Sequence, residues 1–248
     1  MKAMILAAGL GTRLRPLTDN RPKALVEVAG RTLLEITLAR LRASGVREVI
    51  VNVHHFADMV VDYLKKNDNF GMRIEVSREE VLLDTGGGLK KAAWFFLDNS
   101  HPADEPFILH NVDVISTIDC QGMAQSHRDH QAVATRAVQQ RDTSRYLLFD
   151  SRQQLCGRLM AGHEPELARP AEQVRPLAFS GIHVISPRIF SRIREEGVFP
   201  IVPVYLRLAA ERENISAFHA DPYYWRDLGK PEQVMQASQD CATKVLLP

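Results

Sequence analysis

Lys2-Ala3-Met4-Ile5-Leu6-Ala7-Ala8 runs directly into Gly9-Leu10-Gly11-Thr12-Arg13-Leu14-Arg15-Pro16-Leu17-Thr18, and Arg21-Pro22-Lys23 follows a few residues later. The short apolar run reads as a buried strand. Its end in small, glycine-spaced residues lets a ligand approach the backbone closely, and free N–H groups there suit phosphate oxygens. Arg13, Arg15 and Lys23 set three cations beside that turn. Pro16 and Pro22 keep the segment from becoming a helix, so about fifteen residues are expected without regular structure, and such a long open loop in a compact domain marks function. The stretch is read as a polyphosphate site. It is neither common phosphate loop: Leu14 stands where G-x-G-x-x-G needs its third glycine, and G-x-x-x-x-G-K-[ST] is absent.

Around this loop the first half alternates strands and helices. Thr32-Leu33-Leu34-Glu35 is a capping box, with Leu34, Leu38 and Leu41 at helical spacing until Gly45. Residues 48–53 read as a buried strand, 57–66 as a helix and 72–77 as a strand. Asp84-Thr85-Gly86-Gly87-Gly88 reads as a second glycine loop opening a helix over 89–97, and 106–113 as a strand with a polar end. This alternation implies βαβ units and a mostly parallel sheet. The second half is less regular. Strands are expected at 132–138, 177–185, 215–219 and 223–228, a hairpin at 146–150 and 154–160, and a long loop over 162–176. Helices are expected from Ser186-Pro187, over 203–213 and from Lys230. No repeat is visible.

The 248 residues suffice for one large α/β domain, and a hydrophobic content of 45% supports a sizeable core. Thirty-one Lys+Arg balance thirty Asp+Glu for a formal charge of +1, so no global field draws in nucleic acid and any anion must meet a local cluster. No apolar run approaches the ~20 residues of a membrane span, and the N-terminus has no signal-peptide pattern. Three scattered cysteines, Cys120, Cys156 and Cys241, form no C-x-x-C pair, which points to a reducing cytoplasm without disulfides or zinc.

In open α/β sheets ligands bind beyond the carboxyl ends of the strands. Asp113, in Asn111-Val112-Asp113, and Asp227, in Trp225-Arg226-Asp227-Leu228-Gly229, both leave predicted strands there. Together with the phosphate loop they read as a Mg²⁺ site, since that ion takes one or two carboxylates plus substrate phosphates.

The string Leu6-Ala7-Ala8-Gly9-x-Gly11-Thr12-Arg13-Leu14-x-Pro16-Leu17-Thr18 with Pro22-Lys23 resembles the signature of the sugar-1-phosphate nucleotidyltransferases. The resemblance implies a Rossmann-like three-layer αβα sandwich over residues 1–248. It implies a nucleotide-binding half at 1–115, a sugar-phosphate-binding half at 116–240 and a tail at 241–248. It implies Mg²⁺-dependent transfer of a nucleoside monophosphate from an NTP to a sugar 1-phosphate, with Arg13 and Lys23 as catalytic cations and Asp113 and Asp227 as metal ligands. Ala7, Ala8, Gly9, Gly11, Thr12, Arg13, Thr85, Gly86, Gly87 and Asn111 are then expected at the nucleotide. Lys23, Ser180 and Gly181 are expected at the sugar phosphate. Thr85-Gly86-Gly87-Gly88 and Phe179-Ser180-Gly181-Ile182 look most like the uridylyltransferases acting on N-acetylmuramate 1-phosphate, which would make a cell-wall precursor. Guanylyl transfer to mannose or heptose 1-phosphate, cytidylyl transfer to phosphocholine, and a non-catalytic nucleotide-sugar sensor stay open. Two departures stand out: Val112 replaces a frequent glycine, and the Glu-Lys-Pro of several branches is missing. Arg175 and Arg226 are the candidates for the cation that its lysine supplies. The oligomeric state is not legible.

His54-His55 is read as structural or solvated, His127-x-x-His130 as surface, Trp94-Phe95-Phe96 as core, and Lys65-Lys66 and Lys90-Lys91 as solvated helix faces.

Overall fold

Successive residues of a strand face opposite ways, and in this protein both faces are apolar. The computed structural model describes residues 1–98 and 104–243. In its first strand, β1 (Lys2–Leu6), Ala3 and Ile5 enter one core and Met4 the other. A small hairpin, β2 (Glu27–Val28) and β3 (Arg31–Thr32), leads to α1 (Leu33–Ala43). The N-cap half of the predicted capping box forms: the Glu35 amide donates to Thr32 Oγ1 at 3.1 Å, a contact worth about 1 kcal/mol, while the Glu35 carboxylate accepts from Arg31 Nε and the Tyr63 hydroxyl. Then come β4 (Glu48–Val53), α2 (Ala57–Lys66), β5 (Arg73–Arg78), α3 (Asp84–Lys91), α4 (Ala93–Phe96), β6 (Phe107–Asn111) and β7 (Val114–Ser116). The second half holds α5 (Cys120–Asp129), β8 (Ala134–Gln139), the hairpin β9 (Arg145–Phe149) and β10 (Leu155–Met160), and the short β11 (Glu166–Leu167). It ends with β12 (Arg175–Ile185), α6 (Ile201–Ala210), β13 (Ile215–His219), β14 (Trp225–Asp227) and α7 (Pro231–Thr243).

The ten-stranded sheet runs β11-β10-β9-β12-β6-β1-β4-β5, with β8 also on β12 and β13 on β8. The pairings of β1 with β4 and β6, of β4 with β5 and of β8 with β13 are parallel. Those of β12 with β6, β8 and β9, and of β10 with its neighbours, are antiparallel. Traced from pair to pair, only β10 and β12 oppose the other strands, so the sheet is mixed and mostly parallel. Apolar residues of α1, α2, α5 and α7 cover one face, and those of α3, α4 and α6 the other. This is the expected Rossmann-like αβα sandwich. Register brings the carboxyl ends to one rim: Leu6 pairs with Asn52 and Asn111, and Asn52 with Ser77.

Several local expectations change. The glycine triplet does not precede a helix but lies inside α3, and the helix expected over 89–97 is two pieces, α3 and α4. A Cβ on Gly87 would stand 2.5 Å from the Gly197 carbonyl oxygen, and one on Gly86 2.5 Å from the Phe199 ring. The glycines are there because another chain segment lies against the helix, not to loosen its start. The loop over 162–176 contains β11, and Pro187–Ser191 is only a 3₁₀ turn. His127 is buried rather than on the surface, between Thr135 Oγ1 and Ser186 Oγ at 2.9 Å each. Phe95 and Phe96 are core while Trp94 is exposed. Lys90 is not simply solvated: its Nζ donates to the Glu195 carbonyl at 2.7 Å. Of the tail 241–248, residues 241–243 end α7 and 244–248 lie outside the described residues.

Alanine in a free helix is favoured over glycine by about 1 kcal/mol. Gly87→Ala is nevertheless expected to destabilise the protein by roughly 1–3 kcal/mol through backbone overlap, measured by urea unfolding. Unchanged or raised stability would show that the 197–199 segment yields freely.

Candidate active site

The loop after β1 is folded on itself. Gly11 has φ +66°, a left-handed conformation that glycine adopts without strain. Its carbonyl accepts from the Leu14 amide and from Thr18 Oγ1, both at 2.8 Å. Leu14 is fully buried, which anchors the turn. The loop is not wholly irregular as expected, because Thr12–Leu14 and Lys23–Leu25 each make one 3₁₀ turn. Lys23 then reaches back across the rim. Its Nζ lies 2.7 Å from Asp113 Oδ2, and a Cβ on Gly9 would sit 3.7 Å from that same nitrogen. Both members of the pair are largely buried, with side chains 14% and 9% exposed.

A cavity of about 400 Å³ opens at this pair, a size suited to a small ligand. Of the expected nucleotide-site residues, Ala8, Gly9, Thr85 and Asn111 line it, with Lys23 and Asp113. Ala7 lies behind the wall, its amide donating to Asn52 Oδ1 at 2.7 Å. Thr12 and Arg13 are exposed and do not line the cavity.

The backbones around the two aspartates are joined through a small ladder. Asp227 pairs with Val114 between β14 and β7, and the Leu228 amide donates to the Asp113 carbonyl at 2.8 Å. Asp227 Oδ1 accepts from the Gly229 amide at 2.8 Å. A Cβ on Gly229 would fall 2.7 Å from Asp227 Oδ1 and 2.8 Å from Arg13 Nη2. The glycine of Trp225-x-Asp227-x-Gly229 therefore leaves room for Arg13 beside Asp227. Val112 is accommodated without strain: it is fully buried, lies outside the positive-φ residues, and its amide donates to the Leu6 carbonyl. Among the described residues no three His, Cys, Asp or Glu side chains form a metal cluster. Asp113 does not end the strand expected over 106–113 but sits in the turn between β6 and β7, beside the Asp227 end of β14. Two carboxylates so placed fit Mg²⁺, which takes one or two of them and completes its shell with water and phosphate.

On the far wall, sequence reasoning missed a buried carboxylate. Glu79 accepts from Asn52 Nδ2 at 2.7 Å and from the Leu83 amide at 2.9 Å, and its carbonyl meets His54 Nδ1 at 2.8 Å. A Cβ on Gly88 would reach Glu79 Oε1 at 2.7 Å. The signals in the sequence were faint: one Asn within Val51-Asn52-Val53 and a glutamate past a strand. The amides of Gly86 and Gly87, expected at the nucleotide, donate to the Phe199 carbonyl at 3.0 and 3.1 Å instead. Thr85 Oγ1 accepts from the Ile201 amide at 3.0 Å and so caps α6.

The sugar-side expectations fare less well. Ser180 is fully buried, its hydroxyl donating to Gln139 Oε1 at 3.2 Å and its carbonyl accepting from Trp225 Nε1 at 2.7 Å. Gly181, with φ +79°, backs onto Val114 and Asn111 and is close to the rim. Arg226 is turned away from the cavity toward α7, where its Nη2 pairs with Asp240 Oδ2 at 2.8 Å. Arg175 opens β12, six residues before Gly181 and thus roughly 20 Å away along an extended strand. Neither arginine reaches the aspartates. Arg141, which no motif marked, lies near enough to Asp227 to feel its charge. Its Nη2 donates to the Phe179 carbonyl at 2.6 Å and its guanidinium lies 3.9 Å from the Trp225 ring centroid. Burial lowers its pKa and the nearby Asp227 carboxylate raises it in part. Its buried Nε has no hydrogen-bond partner among the described residues.

The description of the nucleotidyl transferase family matches residues 2–244. The chain is 35% identical to N-acetylmuramate alpha-1-phosphate uridylyltransferase of Caulobacter vibrioides, over 95% of this chain and 94% of that protein. It is 30% identical to mannose-1-phosphate guanyltransferase beta-B of Xenopus laevis, but spans only 63% of that relative's length. Among solved structures, HddC from Yersinia pseudotuberculosis complexed with GMP-PN superposes with a TM-score of 0.76 at 22% identity, over 97% of this chain and 99% of that one, a likeness of fold. With its loop, rim aspartates and sandwich in place, the chain belongs to the nucleotidyl transferase family, as a sugar-1-phosphate nucleotidyltransferase.

Proposed function

We propose that the protein transfers uridylyl from UTP to N-acetylmuramate 1-phosphate, releasing pyrophosphate and supplying a cell-wall precursor in the cytoplasm. The observation that carries this reading is the 35% identity to the uridylyltransferase over nearly the full length of both chains. Guanylyl transfer to mannose 1-phosphate is the second reading, favoured by the 30% identity to guanyltransferases that are longer than this chain.

The nucleophile is a phosphate oxygen already ionised near neutrality, since a phosphomonoester's second pKa is about 6. No general base is required. The obstacle is the approach of two polyanions, which repel with ~332/(εr) kcal/mol per unit pair. Lys23 answers part of it: held by Asp113 above Gly9, its ammonium is aimed where an α-phosphate enters the cavity. Arg13, beside Asp227, holds the departing pyrophosphate. Arg141, braced by Trp225 and the Phe179 carbonyl, takes the place of the missing lysine and grips the sugar phosphate. Mg²⁺, held by Asp113 and Asp227, supplies further neutralisation of the phosphate oxygens when bound. Catalysis is then positioning plus electrostatics.

Asp113→Asn should drop kcat below about a tenth of wild type, because loss of its charge releases both Lys23 and the metal; retention of activity in a pyrophosphate-release assay would remove it from the machinery. Lys23→Ala should lower kcat more than it raises the KM for triphosphate.

Arg141→Ala should raise the KM for sugar 1-phosphate roughly tenfold or more, the weight of one charged hydrogen bond, with the KM for triphosphate little changed. The reverse pattern in steady-state kinetics would return the sugar-phosphate role to another cation. In a competition assay, UTP should exceed GTP at least roughly tenfold in kcat/KM, about 1.4 kcal/mol. Mainly guanosine product would promote the second reading.

A further inference from the structure

A second cavity, of about 380 Å³, lies on the other side of the chain segment that walls the first: Val198 lines one, and Pro200, Val202 and Pro203 line the other. Its other walls include Tyr146, Leu159, Met160 and Phe179, which make it largely apolar. Three arginines line it as well, Arg136, Arg145 and Arg158, and no acidic side chain does among the described residues. Arg158 is occupied by Glu166 at 2.7 Å. Arg136 is different. It is 1% exposed, yet its Nε and Nη1 have no hydrogen-bond partner among the described residues. Its guanidinium carbon sits 3.9 Å from the Phe179 ring centroid and 5.3 Å from that of Tyr205. The rings attract the cation through their faces but accept none of its in-plane N–H groups. Burial lowers the pKa to about 10, which leaves the group cationic at neutral pH. The neighbouring His183, whose Nδ1 meets the Tyr205 hydroxyl at 3.1 Å, is held neutral by burial and by Arg136.

Buried donors left unpaired are rare, and each is a demand that a ligand can meet. A planar fork of N–H groups matches a carboxylate bidentately, and the apolar walls select a carboxylate carried on a short hydrocarbon arm. Phe179, which covers Arg136, also presents the carbonyl that holds Arg141. The cavity therefore borders the place assigned above to the sugar phosphate. Resting on the reading that the acceptor is a sugar 1-phosphate, we propose that Arg136 is a specificity-determining residue that binds a carboxylate on the acceptor's sugar ring. Mannose 1-phosphate has no such group, whereas N-acetylmuramate 1-phosphate has one on its lactyl ether.

N-acetylmuramate 1-phosphate and N-acetylglucosamine 1-phosphate differ only by that ether, so the pair isolates the carboxylate. Calorimetric titration of the wild-type protein with each, in Mg²⁺, should show the first binding at least roughly tenfold tighter, as expected of a hydrogen bond to a charged group. Arg136→Met should bring the two within about twofold by weakening only the first, and Arg136→Lys should keep part of the preference. Equal binding of both sugars by the wild type would overturn the proposal without any variant, should Arg136→Met not fold. A variant that weakens both alike would also overturn it, since Arg136 would then only support the wall. Turnover with each triphosphate, followed in parallel, separates this from the underlying reading. Equal transfer to both sugars keeps the enzyme and removes the carboxylate site. A preference in binding that Arg136→Met abolishes, with no transfer from any triphosphate, keeps the site and removes the uridylyltransferase reading.

Discussion

An ammonium and a carboxylate taken mostly out of water and held 2.7 Å apart are the constraint on which the rest of the site depends. Removing two charges from solvent costs several kcal/mol each, and their attraction offsets this only with good geometry. Lys23 and Asp113 are ninety residues apart in the chain. Their meeting requires that β1 and β6 be neighbours in register, that the loop after β1 double back, and that Gly9 leave open the space under the amine. The sheet order, the turn at Gly11 and the burial of Leu14 are all needed to bring one nitrogen to one oxygen. On the proposed reading, a phosphate arriving there would meet a cation already oriented, leaving little rearrangement for the reaction itself.

The same economy explains glycines that local rules misplace. Three in succession read as a flexible start to a helix, and helix propensity alone argues against them in its interior. They are in α3 because the 197–199 backbone lies against one side and the Asn52–Glu79 pair against another. Tertiary approach overrides propensity wherever a Cβ has no room.

Legibility followed the range of the interactions. The strands and helices of the first half were readable because periodicity, the capping box at Thr32 and the phosphate loop are local. The rim was readable in part: the sequence marked Asp113 and Asp227, but Asp113 lies in the turn after β6 rather than at its end, and Asp227 ends β14 of a separate two-stranded ladder. What was not readable depended on side-chain direction across the sheet. Ser180 and Gly181 are adjacent, yet one is sunk toward Gln139 and the other backs the rim. Arg226 lies one residue from Asp227, but its side chain turns to Asp240 of α7, as strand alternation requires. Arg141, with no motif around it, gains its place only when β8 is laid beside β12 and Trp225 comes to cover it. His127 seemed a surface residue on a polar helix because its partners, Thr135 and Ser186, lie eight and fifty-nine residues away.

The segment from Val198 to Pro203 is a partition with a cavity on either side, fastened to α3 by the Phe199 carbonyl and by the Thr85 hydroxyl. A ligand that displaced this partition from one side would be linked through it to an occupant of the other cavity. If both ligands bias the same displacement, linkage requires that each change the other's affinity by the same factor. Synergy or antagonism between the two substrates would then be a mechanical property of six residues that do no chemistry, and a place where selection can tune the order of binding without touching a single charge.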